Sequence, residues 1–247
     1  MNEETLSKIE NYHVPQAGLV RLRKTRVTIF SGITGAGKDT IIHEMMHLNA
    51  DFQKAITSTT RLPRENAGVL ERDGTDYYFL TNEQAAQKIE QGDYAEVASV
   101  HGKIYGSLIS EFERITNLGK TTLIDIDYQG ASHFLQYGME NLHVYFITPP
   151  SFEVWLARLM KRQGNNGKQD RDELVTRFRS AIKELDYAMV HPQFVPIMND
   201  VSIDTAQAII GYIQNGTAPS DEQLARGRQA ITDLRQAIAH YLEQFND

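Results

Sequence analysis

Residues 27–40 of the chain, VTIFSGITGAGKDT, constrain its fold more than any other segment. The apolar, β-branched run at 27–30 predicts a buried strand, and the apolar residues after position 40 predict a helix. A glycine-rich turn between them lets consecutive backbone N–H groups face phosphate oxygens at the positive end of that helix. Together with the lysine after the last glycine, the spacing G-x-x-x-x-G-K predicts a site for the phosphates of a nucleoside triphosphate. A plain helix start after a turn would leave the lysine and the spacing unexplained.

The loop predicts both ATP contacts and a catalytic lysine, Lys38, which reaches the outer phosphates. Asp39 departs from the common pattern, because a Ser or Thr normally binds Mg²⁺ there through its hydroxyl. Its charge weakens anion binding unless Mg²⁺ or a neighbouring cation compensates. We expect Mg²⁺ as the cofactor of ATP, with Asp39 near the metal or its waters and with no metal ligand assigned. The predicted ATP-binding residues of the loop are Gly32, Ile33, Thr34, Gly35, Ala36, Gly37, Lys38, Asp39 and Thr40.

Composition narrows the classes of partner. The 247 residues carry 25 Lys and Arg against 32 Asp and Glu, a net charge of −7, which disfavours bulk attraction to nucleic acid or to an anionic membrane. The chain has no cysteine, which excludes disulfides, thiolate metal sites and a cysteine nucleophile. Its acidic first ten residues are unlike a signal peptide, and no apolar stretch approaches a membrane span. We therefore expect a cytoplasmic protein that binds neither nucleic acid nor membrane.

Strands and helices alternate along the chain, which predicts an α/β fold with a mainly parallel sheet and right-handed crossovers. Glycines at 92 and 119 predict helix ends, and Asn82 and Ser220 predict N-caps. The predicted strands lie at 27–30, 95–100, 121–127, 142–147 and 195–198. The first predicted helix follows the phosphate loop and runs to about residue 49. The other predicted helices lie at about 83–91, 108–118, 152–161, 172–189, 203–212 and 221–245. The polar segment 163–169 is predicted to be mobile.

Both ends of the chain carry segments with less distinctive patterns. Residues 1–25 form a lead-in with a possible short helix, a turn at 15–18 and a basic patch at 21–26 that we expect to be solvated. The last helix has one apolar stripe, which either packs on its own domain or forms a dimer contact. A monomer and a homodimer therefore both stay open. The stripe consists of Leu224, Ile231, Leu234, Ile238, Tyr241 and Leu242.

Three further segments, in this order and spacing, resemble guanylate kinases. They are TSTTRLPR at 57–64, DYYF at 76–79 with Ala95, Glu96 and HGKIYGS at 101–107, and LIDIDYQG at 123–130. The resemblance spans about 26–213 and also includes ITPPS at 147–151 and MND at 198–200. It implies a P-loop three-layer core with an acceptor-binding insertion at about 57–107 and a mobile lid at about 158–177. The lead-in at 1–25 and the linker and C-terminal helix at 214–247 would be additions.

The resemblance implies transfer of the ATP γ-phosphate to GMP or dGMP. Arg61 and Arg64 are suited to a forked clamp on a dianionic phosphate. The guanine edge offers two N–H donors and the O6 acceptor, so a carboxylate with a neighbouring hydroxyl is the natural reader. By the resemblance, Glu96 and Thr57 take those roles. The implied GMP-binding residues are Thr57, Arg61, Arg64, Tyr77, Glu96, Tyr105, Ser107 and Asp125.

The resemblance also assigns residues around the transferred phosphate. Asp125 and Asp127 alternate along an apolar strand, where a carboxylate is costly unless it pairs, for example with Lys38 or with Mg²⁺. By the resemblance, the lid closes over the γ-phosphate and excludes water, and Asn199 lies near the donor adenine. The implied catalytic lid residues are Arg158, Arg162 and Arg177, with Arg171 a weaker candidate.

The loop at 65–75 is about four residues longer than the family pattern, an unusual length for a tight connection. It follows the arginine clamp directly, so it leaves the identity of the acceptor open. A related kinase of another nucleotide or of a sugar phosphate is one alternative. A non-catalytic interaction module of the same shape is another, although such a module would have no need of Lys38 and the lid arginines.

Overall fold

A computed structural model describes residues 3–66, 68–100, 102–162 and 171–244. The chain divides into two compact units. The first unit comprises Met1–Val27, Asp51–Leu123 and Ser132–Leu142, and the second comprises Thr28–Ala50, Ile124–Ala131 and His143–Asp247. The predicted mobile segment 163–169 and His101 of the acceptor motif lie outside the described residues.

The structure confirms the predicted alternation of strands and helices. The strands are β1 Val27–Ser31, β2 Phe52–Lys54, β3 Ser58–Thr59, β4 Glu65–Asn66, β5 Val69–Leu70, β6 Tyr78–Phe79, β7 Tyr94–Val100, β8 Lys103–Leu108, β9 Thr121–Asp125, β10 Leu142–Thr148 and β11 Val195–Met198. The helices are α1 Glu3–Glu10, α2 Gln16–Leu22, α3 Lys38–Leu48, α4 Asn82–Gln91, α5 Ile109–Asn117, α6 Tyr128–Gln136, α7 Phe152–Arg162, α8 Arg171–Val190, α9 Ser202–Asn215 and α10 Asp221–Glu243.

The central sheet has five strands in the order β11, β10, β1, β9, β2. Strand β10 pairs with β11, and β2 pairs with β9, both in parallel. All five residues of β1 are buried, which explains why this strand is a continuous apolar and β-branched run in the sequence. The predicted mainly parallel α/β fold is confirmed.

Strand β9 is shorter than the predicted strand at 121–127. It ends at Asp125, and Asp127 begins the next helix instead, since its Oδ1 accepts a hydrogen bond of 2.8 Å from the Gly130 N–H. This is the geometry of a helix N-cap, which leaves the carboxylate off the sheet. The expected alternation of the two aspartates along one strand was therefore wrong for Asp127.

The first unit contains a four-stranded sheet in the order β6, β3, β8, β7. Strands β7 and β8 form an antiparallel pair, and α4 packs on β7. The predicted cap at Asn82 is wrong, because Thr81 is the N-cap of α4. The Thr81 hydroxyl accepts from the Gln84 N–H at 3.2 Å, and the Gln84 side chain accepts from the Thr81 N–H at 2.8 Å. This reciprocal pair satisfies two N–H groups that the helix itself leaves free.

The N-terminal lead-in forms two helices that pack within the first unit, α1 on β7 and α4, and α2 on α5. The basic patch is not simply solvated. Arg21 makes a forked ion pair with Glu113 at 2.7 and 2.5 Å, and Arg23 donates to the Tyr137 carbonyl oxygen at 2.6 Å. The lead-in is thus held by specific contacts that its sequence pattern did not reveal.

In the second unit, α3 packs against α9, while α10 packs on β11, α8 and α7. The α10 stripe supplies the buried side chains Ile231, Leu234 and Ile238, and the Tyr241 ring lies 5.3 Å from the Phe178 ring. Of the two interpretations of this stripe, the structure shows packing on its own unit. None of the described helices combines the length and apolarity needed to cross a membrane.

Candidate functional site

The phosphate loop joins β1 to α3 in the second unit, as predicted. Gly37 is the N-cap of α3 and has a φ of 97°, in the left-handed region. A Cβ at this position would lie 2.3 Å from Asn199 Nδ2. Both the backbone angle and the close approach therefore require glycine here.

Core side chains hold the carbonyl oxygens of the loop. The Ala36 oxygen accepts from Asn199 Nδ2 at 2.8 Å and from Arg158 Nη1 at 3.2 Å. The Thr34 oxygen accepts from Trp155 Nε1 at 2.7 Å. Because C=O and N–H point in opposite directions across a trans peptide bond, these contacts aim the following loop N–H groups away from the core, as a bound phosphate requires.

Lys38 lies inside the loop, with its side chain only 12% exposed. Its Nζ donates to the Gly32 carbonyl oxygen and, at 3.4 Å, to the Ile33 carbonyl oxygen. Asp125 Oδ1, at the end of β9, lies 3.7 Å from the same nitrogen. The predicted pairing of Asp125 with Lys38 is thus present.

Glu184 of α8 is a further acidic group near Lys38 that the sequence did not indicate. Burial raises the pKa of Glu184 to about 7, the Lys38 cation opposes this shift, and the negative charges of Asp127 and Asp125 add to it. In the described part of the chain, no three His, Asp or Glu side chains are placed to hold a metal ion by themselves. Mg²⁺ is usually held by one or two carboxylates together with substrate phosphates, and Asp125 beside Lys38 fits that requirement.

The predicted lid arginines have different surroundings. Arg158 is bound to the loop carbonyl of Ala36, and Arg177 forms an ion pair of 2.6 Å with Glu173 one turn earlier on α8. The Arg162 side chain and most of the segment that follows it lie outside the described residues. Asp39 and Thr40, in the first turn of α3, are both exposed. The roles assigned to all of these residues stay predictions.

Asn199 is fully buried, and although its Nδ2 is bound, its Oδ1 has no hydrogen-bond partner among the described residues. Such an orphaned buried acceptor calls for an explanation, and a bound water or ligand is a common one. A cavity of about 240 Å³ is lined by residues next to Asn199 in the sequence, but not by Asn199 itself. Its lining includes Met198, Asp200, Val201, Thr205, Tyr212 and Arg226.

The predicted phosphate clamp lies in the first unit. Arg61 is 8% exposed and makes a forked ion pair with Glu71, with Nη1 at 2.5 Å and Nη2 at 2.8 Å from the two carboxylate oxygens. Nη1 also donates to the Leu62 carbonyl oxygen at 2.9 Å. Among the described residues nothing accepts from Nε, so the guanidinium edge formed by Nε and Nη2 stays available for a second forked contact.

Glu71 and two tyrosines fix the position of Arg61. Arg61 holds the pKa of Glu71 at about 2, so this carboxylate is charged at neutral pH. The guanidinium carbon lies 4.8 Å from the centre of the Tyr77 ring, and the Tyr105 ring lies edge-on to Tyr77 at 6.4 Å. Arg64 contributes a backbone N–H to Glu71 at 2.8 Å, and its side chain is exposed.

Two of the predicted GMP contacts, Glu96 and Ser107, meet on the four-stranded sheet. Glu96 of β7 and Ser107 of β8 are opposite each other, and the Ser107 hydroxyl donates to Glu96 Oε1 at 2.6 Å. Thr57 directly precedes β3. Asp125 is the exception among the predicted GMP contacts, because it belongs to the second unit and pairs with Lys38.

Sequence reasoning missed Glu71, Trp155 and Glu184. Glu71 lies in the long loop, among several charged residues, where nothing singles it out. Trp155 is the one tryptophan of the chain, but it lies 121 positions from Thr34, and only the fold brings the two together. Glu184 is one carboxylate on a charged helix, and only the fold shows that it is near Lys38.

Comparison with known proteins agrees with this geometry. Residues 24–210 match a family model described as guanylate kinase. The chain is 35% identical to the guanylate kinase of Clostridium tetani over 226 residues, which cover 92% of this chain and all of that one. It is 36% identical over 181 residues to the guanylate kinase of Clostridium perfringens strain 13, covering 73% and 79% of the two chains. The crystal structure of the guanylate kinase from Anaplasma phagocytophilum superposes with a TM-score of 0.56 and 25% identity, over 79% of this chain and 87% of that chain.

Proposed function

The chain belongs to the guanylate kinase family, and from that premise we propose that it transfers the γ-phosphate of ATP to GMP or dGMP, giving ADP and GDP or dGDP. The observation that carries the choice of acceptor is the pair formed by Glu96 and Ser107, with 2.6 Å between hydroxyl and carboxylate. This pair presents an oriented carboxylate in the same unit as the arginine clamp.

Glu96 reads the guanine through hydrogen bonds to its carboxylate. Ser107 orients this carboxylate through its hydrogen bond to Oε1, and the carboxylate accepts from the N1–H and the N2–H₂ of guanine. Thr57 donates to O6. Adenine offers an acceptor at N1 and a donor at position 6, so it would leave the carboxylate facing a lone pair, which costs binding energy.

Arg61 binds the acceptor phosphate through the guanidinium edge that Glu71 leaves open. A forked contact from Nε and Nη2 matches two phosphate oxygens. The exposed side chain of Arg64 adds a second cation, and the hydroxyls of Tyr77 and Tyr105 add donors. Glu71 thus orients the clamp and leaves it able to bind phosphate.

The loop N–H groups and Lys38 bind the donor phosphates. Lys38 exchanges its contacts with the loop carbonyls for phosphate oxygens, and Asn199 lies beside the donor adenine. Mg²⁺ bound with ATP would neutralise charge on the donor phosphates, and Asp125 would hold the metal or its waters. Arg158, Arg162 and Arg177 stabilise the charge that develops on the transferred group, since phosphoryl transfer depends mainly on alignment and charge neutralisation. The lid at about 158–177 and the insertion at about 57–107 are part of this proposal, as is the cytoplasm as its compartment.

A coupled assay of ADP formation with a panel of nucleoside monophosphates and sugar phosphates tests the proposal. We expect turnover with GMP and dGMP only. Turnover with another acceptor would instead support a related kinase, and nucleotide binding without turnover would support an interaction module.

Two substitutions sharpen the test. Lys38→Met should abolish turnover while the fold persists. Glu96→Gln should raise the KM for GMP or lower kcat much more than it changes the KM for ATP, whereas Glu90→Gln, an exposed carboxylate on α4, should change neither. Equal losses toward both substrates in the Glu96→Gln variant would exclude Glu96 as the base reader.

A further inference from the structure

The hydroxyl of Tyr12 contacts both backbone polar groups of Tyr94. It donates to the Tyr94 carbonyl oxygen at 2.7 Å and accepts from the Tyr94 N–H at 3.1 Å. The two rings also meet edge-on, with their centres 6.4 Å apart and their planes at 89°. Tyr12 lies in the N-terminal segment, outside the 24–210 range that matches the family.

Tyr94 begins a bulge in β7 that ends at Glu96. Tyr94 is opposite Leu108 and Glu96 is opposite Ser107, so Ala95 has no residue opposite it on β8. The Ala95 carbonyl oxygen accepts instead from the hydroxyl of Tyr137, at 2.7 Å. A bulge interrupts the ladder and redirects the side chains that follow it. Strand β7 is the outer strand of its sheet, and here two tyrosine hydroxyls bind backbone groups at the start of the bulge.

The segment that supplies Tyr12 is itself anchored. Ile9 of α1 is buried in a cluster with Ala85, Ile89 and Tyr94, and Tyr12 packs on that cluster. Lys8 pairs with Glu90 of α4 at 2.7 Å. Burial raises the pKa of Tyr12 to about 12, so the hydroxyl keeps the proton that it donates. The contact between Tyr12 and the bulge therefore joins two well-packed parts of the first unit.

We propose that Tyr12 is a positioning residue for the acceptor base, which sets the angle at which the bulge presents Glu96. This role rests on the proposed function of Glu96 as the guanine reader. A carboxylate that accepts two N–H groups side by side must be held to within about 0.5 Å of its productive position. The N-terminal segment contributes to GMP recognition through the backbone of β7, and it touches no nucleotide.

Tyr12→Phe isolates the hydroxyl, because the ring and its packing stay. Without the hydroxyl, the Tyr94 N–H and C=O lose a partner, and the bulge relaxes. We expect the KM for GMP to rise about three- to tenfold, the factor that corresponds to the loss of one hydrogen bond between Glu96 and guanine. The kcat and the KM for ATP should change less than about twofold, since the loop around Lys38 is untouched. Tyr137→Phe, which frees the Ala95 carbonyl, should give a change in the same direction.

Lys8→Gln is the matched control, since it weakens the anchoring of the same segment without touching the bulge. It should leave the KM for GMP unchanged. Hydrogen exchange at the Tyr94 amide gives a readout that needs no activity, and it should be faster in Tyr12→Phe than in the native chain or in Lys8→Gln.

The outcomes separate this proposal from the proposed function. Native turnover of GMP with an unchanged KM in Tyr12→Phe would overturn the role of Tyr12 alone. An equal rise in KM in Lys8→Gln would also overturn it, because it would show general loosening of the segment. Absence of GMP turnover in the native chain would overturn the proposed function itself, whatever the exchange at Tyr94 shows.

Discussion

Gly227 and Gly211 are both helical glycines in the second unit, yet the same change to alanine should have opposite effects on stability. Gly227 lies where α10 crosses β11, and a Cβ there would come 2.4 Å from the Pro196 carbonyl oxygen and 2.8 Å from its carbon. At Gly211 in α9, an added Cβ would have Asn215 Nδ2 as its nearest neighbour, 4.0 Å away. The pair separates the intrinsic preference of a helix for alanine from the close packing of α10.

Both substitutions gain about 1 kcal/mol of helix propensity. Gly211→Ala causes no steric conflict that would offset this gain, so it should stabilise the protein by about 0.5–1 kcal/mol. Gly227→Ala must move α10 outward by about 1 Å to reach ordinary contact with backbone atoms that cannot rotate away. That shift loosens Ile231, Leu234 and Ile238, each worth about 1.5–3 kcal/mol when fully buried. We expect a net loss of about 1–3 kcal/mol for Gly227→Ala.

Urea denaturation followed by tryptophan fluorescence measures this difference in the right unit. The one tryptophan, Trp155, is 1% exposed, and its ring lies 5.1 Å from that of Phe178, which in turn contacts Tyr241 of α10. The midpoint should rise for Gly211→Ala and fall for Gly227→Ala. If Gly227→Ala is as stable as Gly211→Ala, α10 does not pack on β11 as described. The apolar stripe of α10 would then be better explained as a dimer contact.

Three further substitutions test the electrostatics of the two sites. Glu71→Gln should raise the KM for GMP several-fold and lower the unfolding free energy by about 1–3 kcal/mol near pH 7, because Arg61 loses a charged partner. An unchanged KM for GMP would show that Glu71 is not required to position Arg61. Asp39→Asn should lower the KM for ATP by up to about fivefold, since it removes a negative charge beside the donor phosphates. An unchanged KM with altered Mg²⁺ dependence would assign Asp39 to the metal instead. Glu184 has its pKa raised from 4.5 to about 7 in the folded chain, so its contribution to stability is present below about pH 4.5 and is lost as the pH rises through 7. The unfolding free energy of Glu184→Gln, measured by urea denaturation relative to that of the native chain, should therefore rise as the pH increases from about 5 to about 8. A difference in unfolding free energy that does not change with pH would show that Glu184 is not buried beside Lys38.

The sequence predicts the phosphate loop well because the physical requirements there are local. A left-handed backbone at Gly37, a strand before it and a helix after it each require particular residue types within a few positions. The same holds for the capping of α10, where Ser220 and Gln223 form the reciprocal pair that their spacing suggests. Strand β8 and helix α6 were not predicted, since their short mixed sequences satisfy no single periodicity.

Residues that act on the sites through other residues show no such local sequence pattern. Glu71 is ten positions from Arg61, and Tyr12 is eighty-two positions from Tyr94. Such residues meet only because the fold brings distant parts of the chain together, and nothing in the residues around Tyr12 distinguishes it from a surface tyrosine. The assignment of Glu96 and Ser107 to the GMP site came from the family resemblance, whereas the structure alone shows the hydrogen bond between them and the bulge that presents Glu96.

The segments outside the family match are therefore not passive additions. Residues 3–23 supply Tyr12 to the bulge before Glu96, and α10 supplies Gln223 and Arg226 to the cavity that borders the neighbours of Asn199. Each extension packs within one unit, the first with the base readers and the second with the phosphate loop. A chain reduced to 24–210 would keep the whole range that matches the family model, yet it would expose the surfaces of β11 and α8 that α10 covers and would free the backbone of Tyr94. Differences between this enzyme and shorter relatives should consequently arise in stability and in the KM for GMP before they arise in the chemistry at Lys38.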